Sequence, residues 1–107
     1  MSDILHLTND NFEKEVIQAA VPTVVDFFAT WCGPCKMVGP VMEDLAREYG
    51  DKVRVGKVDV DAAGDVAAKY SIRGVPTVMF FKQGAKVAQL VGAYPKEKYK
   101  QEIDKLL

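Results

Sequence analysis

The 107-residue sequence predicts an α/β fold in which a mixed, five-stranded central sheet is flanked by four helices on its two faces. Three observations carry that reading. Strand-like and helix-like segments alternate in the order β α β α β α β β α. The run from Val24 to Ala29 is apolar except for Asp26, as in a strand covered on both faces. A glycine-containing turn, KQGA, joins two strand-like segments near the C-terminus and closes the sheet with an antiparallel hairpin.

Ile4 to Leu7 reads as a short first strand. Thr8 is placed to cap a helix, with Asp10 and Glu13 near its start and Phe12, Val16 and Ala20 along one face. After the buried strand come two cysteines, then Val38, Val41, Met42, Leu45, Ala46 and Tyr49 at helical spacing, with Pro40 expected to kink that helix. Residues 53 to 61, VRVGKVDVD, alternate as a strand, and DAAGDVAAKY reads as a short helix. Thr77 to Phe81 and Lys86 to Val91 form the hairpin strands. Pro95 then opens a last helix with Tyr99, Ile103 and Leu106 on one face.

No internal repeat, low-complexity tract or linker interrupts this order, so residues 1–107 are expected to form one domain, large enough to bury a core without staples. The formal net charge is -1, and the basic residues are dispersed, which argues against nucleic acid or an anionic membrane as partner. No apolar run approaches the roughly 20 residues of a membrane-spanning helix. The N-terminal MSDILHLTNDNF has neither a basic segment nor the apolar core of a signal peptide. A soluble, unsecreted chain is expected.

The two cysteines lie three positions apart, and a bridge between them would close too small a loop to serve as a structural staple. In WCGPCK, Cys32 falls where a buried strand gives way to a helix, whose free amides and dipole favour a thiolate. Cys35 follows one helical turn later, about 5 to 6 Å away, within reach of a disulfide. Pro34 suits a first helical turn, and Gly33 adds no side chain over the sulfurs. This setting points to thiol–disulfide exchange, with Cys32 attacking and Cys35 resolving. Half a zinc site is the competing use, but four ligands are needed, no second CxxC exists, and His6 is the only histidine.

The segments VDF-x-A-x-WCGPCK, KVDVD, IRGVPT and VGA stand in the order and spacing of the thioredoxin family, which the chain closely resembles over nearly its whole length. The resemblance implies the thioredoxin fold and a general protein disulfide reductase. It would cycle between dithiol and disulfide forms, with no bound cofactor. Reducing equivalents would come from a thioredoxin reductase dependent on NADPH or ferredoxin. Disulfide-containing proteins and that reductase are the implied partners, for a chain expected to be monomeric and cytoplasmic. Thioredoxins are themselves a standard example of activated CxxC thiols, so that property follows from the resemblance.

In this frame Asp26 becomes a candidate base for Cys35, acting through water, because burial raises a carboxyl pKa into a range useful for proton transfer. The alternative is an acid satisfied by backbone donors at a turn. Lys57 sits at an inward position of a valine-rich strand, and in the family the matching lysine lies near the buried acid, where it would favour the carboxylate. Its alternative is a head group extended into water. Pro76 matches a family proline that is cis and packs beside the disulfide, leaving Val75 backbone groups to pair with an extended substrate segment. Without the resemblance, a trans proline at a strand start would be the reading. Trp31, Gly33, Pro34, Gly74, Val75, Pro76 and Gly92 are the expected substrate-contact surface, with plain core packing as the alternative for Trp31.

Three positions depart from the family pattern. Phe28 stands where a second tryptophan is usual, Ser71 where glycine is common, and Tyr94-Pro95 where a polar helix cap is usual. Phe28 keeps an aromatic ring and loses an indole N–H, which changes what it can hold. Two other functions compete with the reductase reading. A net oxidant or isomerase would differ in its equilibrium with glutathione, and a redox-independent binding subunit of a larger complex would keep its partner when Cys32 is replaced.

Overall fold

Alternation along each strand sends apolar side chains to two separate cores, and the helices divide between them. The computed structural model describes residues 4–107. The strands are β1 (Leu5–Leu7), β2 (Thr23–Phe28), β3 (Arg54–Asp59), β4 (Thr77–Lys82) and β5 (Ala85–Val91), in the sheet order β1-β3-β2-β4-β5. β1 and β2 run parallel to β3, whereas β4 is antiparallel to β2 and to β5. The sheet is mixed and five-stranded, as the alternation predicts.

On one face, α1 (Cys35–Tyr49) and α3 (Lys96–Asp104) cover Val24, Val55, Val78 and Phe80 with Val38, Met42, Leu45, Tyr99 and Ile103. On the other, Phe12, which precedes a short helix (Glu13–Ile17), Val16 within that helix and Val66 of α2 (Gly64–Lys69) pack on Val25, Phe27, Met79 and Phe81. The strand β2 is therefore buried on both sides. Its position between β3 and β4 explains the continuous apolar run.

Some boundaries differ from expectation. Thr8 caps the turn ahead of the helix, its hydroxyl accepting from the Asp10 and Asn11 amides while Asn11 Oδ1 accepts from the Thr8 amide, whereas the helix itself starts at Glu13 with no side-chain cap. The helix that follows is π-wound, with the Gln18 amide reaching back to Glu13, and it ends before Ala20, which is exposed. β3 stops at Asp59 rather than Asp61, because the Asp59 carboxylate accepts from the Asp61 and Ala62 amides and turns the chain. Helix α1 runs unbroken through Pro40. Pro95 lies outside α3, with an extended ψ of 152°, and α3 ends before Leu106. In the hairpin, Gln83 and Gly84 both have positive φ, as a two-residue turn of that hand requires.

Candidate active site

At the end of β2 the chain turns through Ala29 to Trp31 and enters α1 at the second cysteine. The first-turn amides of such a helix have no partners within it, and one of them, that of Cys35, donates to Cys32 Sγ at 3.1 Å. Lys36 and Met37 amides close the turn onto Gly33 and Pro34 carbonyls. Cys32 and Cys35 are joined in a disulfide with their Cα atoms 5.4 Å apart. Both are nearly buried, packed with Ala29 against Phe28, Val60 and Val75. A sulfur held by a helix-start amide is the arrangement in which a thiolate is stabilised.

Asp26 is 3% exposed, and its Oδ1 has no hydrogen-bond partner among the described residues. No backbone turn satisfies it, so that alternative fails. Burial raises its pKa from 3.8 to about 7, and the positive charge of Lys57 opposes the rise. Asp26 and Lys57 are register partners on β2 and β3, which directs both side chains to the α1 face. Lys57 is half-buried, and its ammonium lies 5.6 Å from the centre of the Phe28 ring. A groove lined by Asp26, Phe28, Cys35, Lys36 and Lys57 connects the acid to the second cysteine; Cys32 does not line it. The two thiols thus have different neighbours, the Cys35 amide for Cys32 and the acid's groove for Cys35.

The Val75–Pro76 peptide is cis, and the loop is tied down by Gly92, whose amide donates to the Pro76 carbonyl at 2.8 Å. Thr77 Oγ1 donates to the Gly74 carbonyl. The Val75 N–H and C=O have no hydrogen-bond partners among the described residues, so a strand could pair there. Gly33, Pro34 and Gly74 are exposed, Val75 and Gly92 are half-exposed, and Pro76 is buried beneath them. A Cβ on Gly33 or Gly74 would meet open space, so the missing side chains leave the surface low for a partner.

Trp31 is 72% exposed, which rules out core packing. Its indole N–H donates to Asp61 Oδ2 at 2.9 Å, and the ring borders a shallow groove shared with Val60, Gly74 and Val75. Asp61 was not expected from the sequence. The signal for it is the Asp59 turn, which aims the following residues back at the tryptophan. Met37, 70% exposed, and Tyr94, also exposed, were not expected at this site either; they line a groove between α1 and the segment after Gly92. Among the described residues, no three His, Cys, Asp or Glu side chains gather to hold a metal ion.

This pair of cysteines can exchange a disulfide with a target that reaches the glycine-rich rim. A thioredoxin family model matches residues 3–105. The chain is 45% identical to thioredoxin 1 of Synechococcus elongatus, with both chains covered completely. It is 48% identical to thioredoxin C-2 of Corynebacterium nephridii over 94% of each chain. It is 46% identical to the chloroplastic M-type thioredoxin of Spinacia oleracea over 92% of this chain and 55% of the relative. By motif, sheet order and these likenesses, the chain belongs to the thioredoxin family, as a protein disulfide reductase working through its CGPC pair.

Proposed function

We propose the following division of roles. Cys32, as thiolate, attacks one sulfur of a target disulfide; the target's S–S bond breaks, its other sulfur leaves as a thiolate that takes up a proton, and a mixed disulfide joins Cys32 to the target. Asp26, as carboxylate, takes the Cys35 proton through water, and the resulting thiolate attacks Cys32 Sγ. The Cys32–target bond breaks, the second target sulfur leaves as a thiolate that takes up a proton, and Cys32–Cys35 becomes the disulfide. Two electrons pass to the target. Lys57 tunes Asp26 by favouring its carboxylate form. The observation that carries this assignment is the asymmetric setting of the sulfurs, with the Cys35 amide on Cys32 Sγ and Cys35 alone on the acid's groove.

Trp31, Gly33, Pro34, Gly74, Val75, Pro76 and Gly92 form the substrate rim, where an extended target segment pairs with the Val75 backbone. The unpartnered Val75 groups and the open space over the glycines support this. Residues 1–107 act as one domain and as a monomer, re-reduced by a thioredoxin reductase that uses NADPH or ferredoxin. A dithiol carrier of this kind runs in a reducing compartment, here taken as the cytoplasm. Neither nucleic acid nor a membrane is a partner in this reading; the near-neutral charge supports the first, and no described helix is long and apolar enough to cross a bilayer.

Insulin reduction coupled to dithiothreitol or a reductase tests the assignment. Cys32→Ser abolishes turnover, and Cys35→Ser accumulates mixed disulfides through Cys32. Adducts recovered through Cys35 in the Cys32→Ser variant, with none in Cys35→Ser, would reverse the roles.

A further inference from the structure

The departure at Phe28 has a structural partner. The residue lies two positions after Asp26 on β2 and so shares its face, with Lys57 beside them on β3. The residue packs against the cluster formed by Ala29 and the cysteine pair. The Lys57 ammonium lies 5.6 Å from its centre. No hydrogen bond or ion pair joins Lys57 to Asp26 among the described residues. The lysine, next to a buried acid, rests on the aromatic ring instead.

We propose that Phe28 is a positioning residue: its ring holds the Lys57 ammonium at the groove, short of a direct pair with Asp26, and so limits how strongly that ammonium favours the carboxylate. Within the groove, the charge–quadrupole attraction of the ring competes with the attraction of the acid. Of the other groups facing Asp26, α1 contributes Lys36 and Glu43 and α3 contributes Tyr99, while β4 presents Val78. His6 of β1 lies beyond Lys57 in the same row. Lys36 repels the ammonium, and Glu43 borders a second, smaller groove with Asp26 and Lys57 but is itself exposed, where water screens its charge. With the ring gone, the buried Asp26 carboxylate is the less screened of the two acids within reach.

A direct opposite charge lowers a carboxyl pKa, whereas burial raises it; here burial outweighs the Lys57 charge and places Asp26 at about 7. The ring therefore contributes to keeping the acid able to gain and lose a proton near neutrality. Its functional value rests on Asp26 acting as the relay, but its test does not.

The test is the titration of Asp26, followed by carboxyl carbon NMR in the oxidised protein. Phe28→Leu keeps most of the volume and removes the π face; the expected result is a titration midpoint lower by about one pH unit. Phe28→Trp restores the face and returns the titration toward the parent value. In a Lys57→Met background, Phe28→Leu leaves the Asp26 titration unchanged. A Phe28→Leu titration that stays put or moves upward overturns the proposal. So does an equal displacement in the Lys57→Met background, which would make the ring a simple shield from water. If Asp26→Asn reduces insulin at the parent rate across neutral pH, the relay reading fails while the Phe28 result stands.

Discussion

Ionising Asp26 is penalised in the folded chain and free in the unfolded one, which couples a single carboxyl to global stability. The folded pKa of about 7 lies above the unfolded value of 3.8, so between these pH values the native state binds more protons than the unfolded state. Stability from this group therefore falls as pH rises from about 4 to about 7 and levels off above. Raising the carboxyl this far carries a penalty on the order of 4 kcal/mol once the acid is fully ionised. Asp26→Asn has no charge to bury. Urea unfolding should give it nearly the parent stability at pH 4 and a gain of up to about 4 kcal/mol at pH 8. A difference independent of pH would mean that the carboxyl is not the group responsible. The acid destabilises the fold in the pH range where the proposed relay would operate, which is a reason to read it as functional.

Elements set which of these residues the sequence could disclose. Asp26 and the cysteine pair were legible because each contradicts its surroundings: an acid in an apolar strand, two thiols too close for a staple. The helix α1 was legible from its periodicity, the strand β2 from its continuous apolar run, and β4 from the glycine-containing turn beside it. Asp61 was not, since its contact with Trp31 spans thirty residues and depends on the Asp59 turn cutting β3 short. The partnership of Phe28 with Lys57 likewise exists only through the pairing of β2 with β3. Met37, a plain helix position, and Tyr94, noticed only as a departure from the usual helix cap, gave no sign of the groove that forms where α1 and the segment after Gly92 meet. The β4–β5 turn shows the converse, a local signal with a tertiary reason behind it. Gly84 has a φ of +80°, and a Cβ there would come within 2.8 Å of the Ile17 carbonyl oxygen. Gly84→Ala should therefore cost about 1 to 3 kcal/mol in urea unfolding. The turn lies at the opposite end of β4 from the cis proline, so insulin reduction by the folded variant should match the parent. A loss of turnover without a loss of stability would contradict that separation.

At the scale of the whole molecule, the disulfide and the fold are linked by one thermodynamic cycle. Whatever the closed disulfide adds to folding stability, folding adds to the tendency of the thiols to become a disulfide, and hence to their reducing power. The loop between Cys32 and Cys35 is short, so chain entropy contributes only about 2 kcal/mol in favour of the oxidised state. The amides at the start of α1 act in the opposite sense, because they favour the Cys32 thiolate and so the reduced form. A protein that reduces its targets requires the first effect to exceed the second. The oxidised chain should unfold at higher urea concentration than the dithiothreitol-reduced chain at the same pH, by about 2 kcal/mol or less. The reverse order would mean that this fold stabilises its dithiol, as strong oxidants do, and that electrons flow from target to chain. Comparing the two unfolding curves thus tests the direction of electron flow without any substrate present. It also bears on more than the loop itself, since the cysteine pair lies at the start of α1 and packs against Phe28 of β2 and Val75 of the cis-proline loop.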